Sequence, residues 1–106
     1  MKLLHVISSL EIGGAQRLLS DLLPIQKKQG LEVELLVYVR IDNDFARKIQ
    51  ASGVKILSLD SSHLHNPSNI FRLRKIIKRY DVVHAHLFPS IYWVAMAAIG
   101  LNVKLV

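Results

Sequence analysis

Residues 2–23 read KLLHVISSLEIGGAQRLLSDLL, and this stretch decides the fold. The apolar run Leu3–Ser8 predicts a buried β-strand, and the loop Ser9–Gly14 follows with a pair of glycines. From Ala15 onward, apolar residues recur at i, i+3, i+4, i+7 and i+8, which predicts one face of an α-helix. Pro24 lies within that helix and is expected to kink it or to end its regular hydrogen bonding. Lys27 and Lys28, followed by Gly30, are typical of a helix C-terminus.

The same alternation of strand and helix continues along the chain. Further strands are predicted at Leu31–Val39, Val54–Leu59, Asp81–Ala85 and Val103–Val106. Further helices are predicted at Phe45–Ser52, Ser68–Tyr80 and Phe88–Ile99, the first capped within Asp42–Asp44. This order predicts an α/β fold, a doubly wound parallel sheet with helices on both faces and strand order 3-2-1-4-5.

Ligands of such sheets bind beyond the carboxyl ends of the strands, where the order of the strands reverses. Here the reversal falls between strands 1 and 4. It selects the loop Ser9–Gly14 and the stretch His84–Ser90, which are expected to face each other across one crevice.

Length and composition restrict the remaining possibilities. The 106 residues suit a single domain, and the absence of cysteine excludes a disulfide framework, a thiolate nucleophile and a cysteine-based metal site. The uncharged run Ile91–Leu101 is too short to cross a bilayer. The net charge of +6 indicates an anionic partner.

Most of this positive charge is local to the predicted helix Ser68–Tyr80. Its basic face consists of Arg72, Lys75, Lys78 and Arg79. This face is consistent with either a solvated surface or attraction to anionic lipid. Nucleic acid is not expected as a partner, because no aromatic residues interleave with the basic ones.

Gly13 and Gly14 lie between a strand and a helix. Glycines allow a backbone to approach a ligand closely, and a helix N-terminus favours phosphate. A tight turn without a ligand is the alternative interpretation. Neither the dinucleotide-binding fingerprint nor a P-loop is present.

Two histidine pairs are also notable. His84 and His86 are expected to share one face of strand 4, one buried and one at the cleft, and His63 and His65 lie in a polar loop. Four histidines could hold zinc, but a buried core histidine and polar loop positions are favoured, and no metal site is predicted. His86 is a candidate for hydrogen bonding or proton handling in the cleft, and Phe88 for lining it.

Two motifs resemble those of glycosyltransferase family 4, which has the GT-B architecture. Residues 13–17 (GGAQR) are similar to the family's G-G-A-[EQ]-[RK] signature, and residues 81–86 (DVVHAH) are similar to its D-V-V-H-x-H strand. The resemblance extends over essentially the whole chain. It implies that residues 1–106 form the Rossmann-like N-terminal domain, which mainly binds the acceptor, and that a C-terminal domain binding the nucleotide-sugar donor is absent.

The resemblance also implies a function and a set of site residues. The reaction would be a retaining transfer of a sugar from a nucleotide sugar to a glycan or lipid-linked acceptor, with no metal cofactor. Gly13 and Gly14 would approach the donor's diphosphate. The acceptor cleft would be lined by Ser9, His84, His86 and Phe88.

This chain by itself is expected to have no transferase activity, because the donor pocket would lie in the other domain. The expected location is the cytoplasm, or the inner face of the membrane through the basic helix, as in some members of the family. Two alternatives are a stand-alone α/β module that binds a phosphorylated ligand or a partner protein, and a peripheral membrane component.

Overall fold

The computed structural model describes residues 2–7, 14–38, 42–59, 68–86 and 90–106. Within these residues strands and helices alternate. The elements are β1 (Lys2–Ile7), α1 (Gly14–Lys28), β2 (Glu32–Val37), α2 (Asp44–Ala51), β3 (Lys55–Ser58), α3 (Ser68–Ile77), β4 (Val82–Ala85), α4 (Ser90–Ala97) and β5 (Lys104–Leu105).

The five described strands form one parallel sheet in the order β3-β2-β1-β4-β5, which confirms the predicted fold class and strand order. Strand β1 is central, and it pairs with β2 on one side and with β4 on the other. The register places His5 opposite Leu35 of β2 and opposite His84 of β4. The order of the strands therefore reverses at the β1–β4 pair.

Two hydrophobic clusters cover the two faces of the sheet, as expected for a doubly wound fold. On one face, Leu4 and Val6 of β1 belong to the cluster that includes residues of α3 and α4. On the other, Ile7 belongs to the cluster that includes Leu19 and Leu23 of α1 and residues of α2. Alternate residues of β1 thus enter opposite cores.

Of the two effects expected of Pro24, an end to the regular helix does not occur. The helix passes through Pro24 and ends at Lys28. Proline lacks the backbone N–H that would donate to the preceding turn, but Leu19 and Leu23 are fully buried and hold the helix against the sheet. The tertiary contacts of α1 therefore outweigh the local effect of the proline.

The other helices end within a few residues of their predicted bounds. Helix α2 has Asn43 as its N-cap, whose side chain accepts a hydrogen bond from the backbone N–H of Ala46 at 3.0 Å. Helix α3 ends at Ile77 rather than Tyr80, because the N–H of Tyr80 donates to the carbonyl of Ile77 in a tight final turn. None of the helices in the described ranges has the length and apolar character needed to span a membrane.

Polar contacts hold the amino edge of the sheet, the edge at which the parallel strands begin. The hydroxyl of Tyr80 donates to Oε1 of Glu34 at 2.7 Å, and burial together with this contact raises the pKa of Tyr80. The backbone N–H of Lys2 donates to the carboxylate of Asp81 at 2.7 Å. These contacts fix β1, β2 and β4 at one end, so that their opposite ends are held in register.

Candidate functional site

The carboxyl edge of the sheet, where the parallel strands end, brings the two sequence motifs together. Strand β1 ends at Ile7, and helix α1 begins at Gly14. The backbone N–H of His86, just past the end of β4, donates to the carbonyl of Val6 at 2.8 Å. His86 therefore lies beside the end of β1, at the point where the strand order reverses.

Three histidines form a cluster on the face of the sheet that α1 covers. The ring centroids of His84 and His86 are 4.1 Å apart, and the two rings are stacked. The ring of His5 on β1 lies 5.3 Å from His84 and 5.2 Å from His86. His5 and His86 are buried, and His84 is half-buried. The prediction that His84 and His86 share a face is confirmed, and His86 is the more buried of the two.

A chain of hydrogen bonds runs from α1 through this cluster. Oε1 of Gln26 lies 2.9 Å from Nε2 of His5, and Nδ1 of His5 lies 2.9 Å from Nε2 of His86. An amide oxygen only accepts, so Nε2 of His5 carries the proton and donates. Nδ1 of His5 is then a lone pair, and Nε2–H of His86 donates to it. Both rings are neutral in this arrangement.

Burial keeps these rings uncharged. Burial lowers the pKa of His5, an effect that the hydrogen bond to Gln26 opposes and the neighbouring His84 reinforces. Burial also lowers the pKa of His86, to about 4, with further lowering by His84 and His5. Around pH 7 the rings of His5 and His86 are therefore neutral imidazoles, which accept and donate hydrogen bonds without attracting an anion by charge.

The same three rings bring together enough nitrogen atoms to hold a metal ion. One ligand nitrogen from each can be chosen so that all three lie within 4.8 Å of one another. Two nitrogens bound to one tetrahedral zinc ion lie about 3.3 Å apart, given zinc–nitrogen distances of about 2.0–2.1 Å. The 2.9 Å separation of Nδ1 of His5 and Nε2 of His86 is shorter and matches a hydrogen bond. The described geometry is that of a hydrogen-bonded pair.

The other predicted site residues are placed only in part. Gly14 is exposed and is the first residue of α1. A methyl group added to it would meet no atom within 4 Å. The basic face is exposed, as predicted, with Arg72 and Lys75 on α3 and Lys78 and Arg79 in the turn after it. Some predicted residues lie outside the described residues: Ser9, Gly13, His63, His65 and Phe88.

Arg74 is a basic residue of the same helix with a different role. Its guanidinium donates to the carbonyl of Ala97 at 3.3 Å and to the carbonyl of Ile99. These carbonyls lie at the C-terminal end of α4, where cations are favoured. Arg74 therefore ties α3 to α4 and is distinct from the exposed basic face.

The sequence did not lead to His5 of the cluster, nor to Gln26, which is hydrogen-bonded to it. His5 carried a usable signal, because strand order 3-2-1-4-5 places β1 beside β4, and a histidine in an apolar strand needs a polar partner. Gln26 carried none, since only the packing of α1 on the sheet brings its amide to His5.

Among the described residues, pockets lie at both edges of the sheet. One lies at the amino edge and includes Lys2, Lys27 and Lys55 together with Glu32 and Glu34 in its lining. The other lies near the start of α2, where Arg17 of the GGAQR motif meets Asn43, Asp44 and Phe45. Only the second is at the carboxyl edge, on the side of the sheet where the sequence motifs converge.

Lowering the pH should destabilise the fold. The unfolded chain takes up protons on His5 and His86 below a pKa of about 6.5, whereas the folded ring of His86 stays neutral down to about 4. The contribution of these neutral rings to the free energy of unfolding is therefore fully present above about pH 6.5 and is lost as the pH falls toward 4. Allowing for solvent screening, we expect a loss of about 1 kcal/mol for His86 by pH 5, measured by urea unfolding at pH 7 and pH 5.

The control is the His86→Gln variant, whose amide can still donate to His5 but does not titrate. Carboxylates also titrate near pH 5, so the wild-type loss minus the variant loss isolates His86. Equal losses in the two proteins would contradict this prediction.

Comparison with solved structures places the fold among glycosyltransferases. A glycosyltransferase from Rickettsia africae ESF-5 superposes with a TM-score of 0.70 at 17% identity, over 98% of this chain and 28% of that one. HepE of Anabaena, in complex with UDP and glucose, superposes with a TM-score of 0.77 at 15% identity, over 99% of this chain and 28% of that one. The chain thus spans little more than a quarter of the length of these proteins.

The sequence comparisons identify the family. No curated protein sequence matches the chain significantly. The family model described as Glycosyltransferase Family 4 matches residues 12–106, which include the GGAQR and DVVHAH motifs. The chain therefore belongs to glycosyltransferase family 4.

Proposed function

We propose that this chain is the N-terminal, acceptor-side domain of a retaining glycosyltransferase. It would take part in transferring a sugar from a nucleotide sugar to a glycan or lipid-linked acceptor, without a metal cofactor. Family membership supports the transferase, and the Anabaena neighbour was solved with UDP and with UDP-glucose. The observation that carries the proposal is the meeting of the GGAQR helix start and the DVVHAH strand end at the reversal of strand order.

In this proposal Gly14, together with Gly13, approaches the diphosphate of the donor. Gly14 is exposed, and the first N–H groups of α1 lack partners within the helix. The positive end of the helix dipole favours a phosphate at this position. The open space around the α-carbon of Gly14 leaves room for a ligand to approach the backbone.

The acceptor side of the cleft is assigned to His84 and His86, with Ser9 and Phe88 beside them. The neutral ring of His86 suits the hydroxyl groups of a sugar or lipid-linked glycan, because it hydrogen-bonds without selecting for charge. In this proposal the diphosphate contact lies on this chain, whereas the nucleotide pocket and the transfer step need a second domain. The 106-residue chain alone would therefore bind UDP-glucose only weakly, through its diphosphate, and transfer no sugar.

Replacing Gly14 by alanine should weaken the binding of UDP-glucose to the chain. We expect a loss of about tenfold, or about 1.4 kcal/mol, because the methyl group occupies the space through which the diphosphate approaches. The measurement is the shift of the Gly14 and Ala15 backbone amide resonances during titration, with uridine as the ligand that lacks the diphosphate. Stability should be unchanged or slightly raised, since alanine favours a helix.

Gly30→Ala is the matched control at the opposite end of α1. Gly30 has φ of +89°, so alanine there is strained and should cost about 1–2 kcal/mol of stability. It lies far from the carboxyl edge and should leave UDP-glucose binding unchanged. If uridine shifts the same amides as UDP-glucose, or if Gly14→Ala binds as well as the wild type, the diphosphate assignment is wrong.

We further propose that the basic face of α3 docks on an anionic membrane surface. Phe71 is 71% exposed and lies on the same side of the helix as Arg72, Lys75 and Arg79, with Lys78 adjoining. The structure thus places an exposed aromatic ring among the basic side chains, contrary to the expectation from the sequence, and this combination is typical of helices that lie in a membrane interface. The opposite side of the helix is anchored in the core by Leu73 and Ile77.

Replacing Arg72, Lys75 and Arg79 by glutamine should reduce binding to anionic vesicles by roughly 100-fold. Each basic residue near such a surface contributes about 1 kcal/mol. Sedimentation with phosphatidylserine-containing vesicles measures the effect. The control replaces Lys27, Lys28 and Lys55, which are also exposed, and makes the same change in net charge. Equal losses from the two triple variants would show that net charge, and not this face, determines binding.

A further inference from the structure

The hydrogen bonds of the histidine cluster fix where its protons lie. Gln26 belongs to α1, and its amide oxygen faces Nε2 of His5 at 2.9 Å. This contact sets the proton of His5 on Nε2 and leaves Nδ1 as an acceptor. Nδ1 in turn faces Nε2 of His86 at 2.9 Å, so the proton of His86 also lies on Nε2.

The consequence for His86 is an unprotonated Nδ1. In an imidazole ring the two nitrogens point away from each other, so Nδ1 of His86 is directed away from His5. His5 is 1% exposed, whereas His86 is 9% exposed and lies just beyond the end of β4. Of the two bonded rings, His86 is therefore the one whose Nδ1 has no partner among the described residues, and it is the ring nearer the carboxyl edge.

Three contacts fix the position of His86. Its backbone N–H is bonded to Val6 at 2.8 Å, and its ring stacks on His84 with centroids 4.1 Å apart. Its Nε2 is bonded to His5, which is buried between the sheet and helix α1. These three contacts fix the orientation of the His86 ring, so its Nδ1 can accept a hydrogen bond from one direction only.

We propose that Gln26 and His5 are positioning residues that hold the proton of His86 on Nε2, so that Nδ1 of His86 accepts a hydrogen bond from a substrate hydroxyl group. This inference rests on the proposed function for the identity of the substrate as a sugar-containing ligand. Through this chain of hydrogen bonds, Gln26 of helix α1 sets the position of a proton at the edge of the sheet where the substrate binds. A hydroxyl is selected because the site offers an acceptor without charge.

The test uses the 106-residue chain labelled with ¹⁵N, and long-range ¹H–¹⁵N correlation spectra of the histidine rings at pH 7. In the wild type, Nδ1 of His86 should have the chemical shift of a nitrogen without a proton. Gln26→Leu removes the acceptor at a half-buried position, so the proton order can reverse. Nδ1 of His86 should then move toward the N–H range. Gln26→Glu keeps an oxygen acceptor for Nε2–H of His5, but its carboxylate also raises the pKa of His5. This variant is therefore measured at about pH 9, where His5 is neutral and Nδ1 of His86 should keep the wild-type chemical shift.

Addition of UDP-glucose separates this inference from the proposed function. In the proposed function the glucose of UDP-glucose extends from the diphosphate at Gly14 toward the acceptor side. The His86 ring resonances should therefore shift in the wild type and in Gln26→Glu, and should shift less in Gln26→Leu, while the Gly14 amide shifts in all three. Absence of the Gly14 shift in all three proteins would count against the proposed function. An unchanged His86 Nδ1 in Gln26→Leu would overturn the positioning role, whatever the ligand does.

A purely structural role of Gln26 predicts a different result. In that case Gln26→Leu would lower the urea midpoint of unfolding and leave the proton positions of folded His86 as they are. That combination, in a variant whose backbone amide spectrum remains that of the wild type, also overturns the proposal.

Discussion

From Leu4 to Ile7, every side chain of strand β1 is buried, and both edges of the strand are paired with neighbouring strands. A polar side chain in such a strand must find a partner, because a buried unpaired polar group costs about 1–3 kcal/mol. His5 is such a side chain. Its two ring nitrogens form hydrogen bonds with Gln26 of the covering helix α1 and with His86, just past the end of β4. The constraint on β1 therefore extends to both of its neighbours.

This constraint organises the carboxyl edge. The position of His86 follows from its pairing with His5 and from its backbone bond to Val6. The start of α1 follows from the packing of Leu19 and Leu23 on the same face of the sheet. The two sequence motifs of the family are thereby held at one edge although they lie about 70 residues apart, as ligand binding at a switch point requires. Stability of the sheet and geometry of the site depend on the same buried contacts.

The architecture was predictable because its signals are local. Apolar runs in strands and the helical spacing of Leu18, Leu19, Leu22 and Leu23 gave the element order, and the alternation gave the topology. Pro24 shows the limit of such signals, since the helix continues through it to Lys28 while Leu19 and Leu23 in the preceding turns pack in the core. Element ends also shifted by up to a few residues, as at Ile77, where the last turn tightens.

Only the site residues that lie within a single local sequence motif could be predicted. His84 and His86 were found from their spacing in a strand, and Gly14 from its place before a helix. The partners of His86 were not found, because His5 lies about 80 residues away in sequence and Gln26 is joined to it only by tertiary packing. The metal alternative was formulated with the histidines of the polar loop, whereas the described cluster takes its third ring from β1.

A crystal structure of the chain grown with UDP-glucose tests the central claim most directly. The account predicts the diphosphate at the start of α1, about 3 Å from the backbone nitrogen of Gly14, with His86 facing the sugar-bearing side of the cleft. The amino edge offers a competing basic pocket lined by Lys2, Lys27 and Lys55. Diphosphate bound in that pocket, with the carboxyl edge left to solvent, would contradict the account.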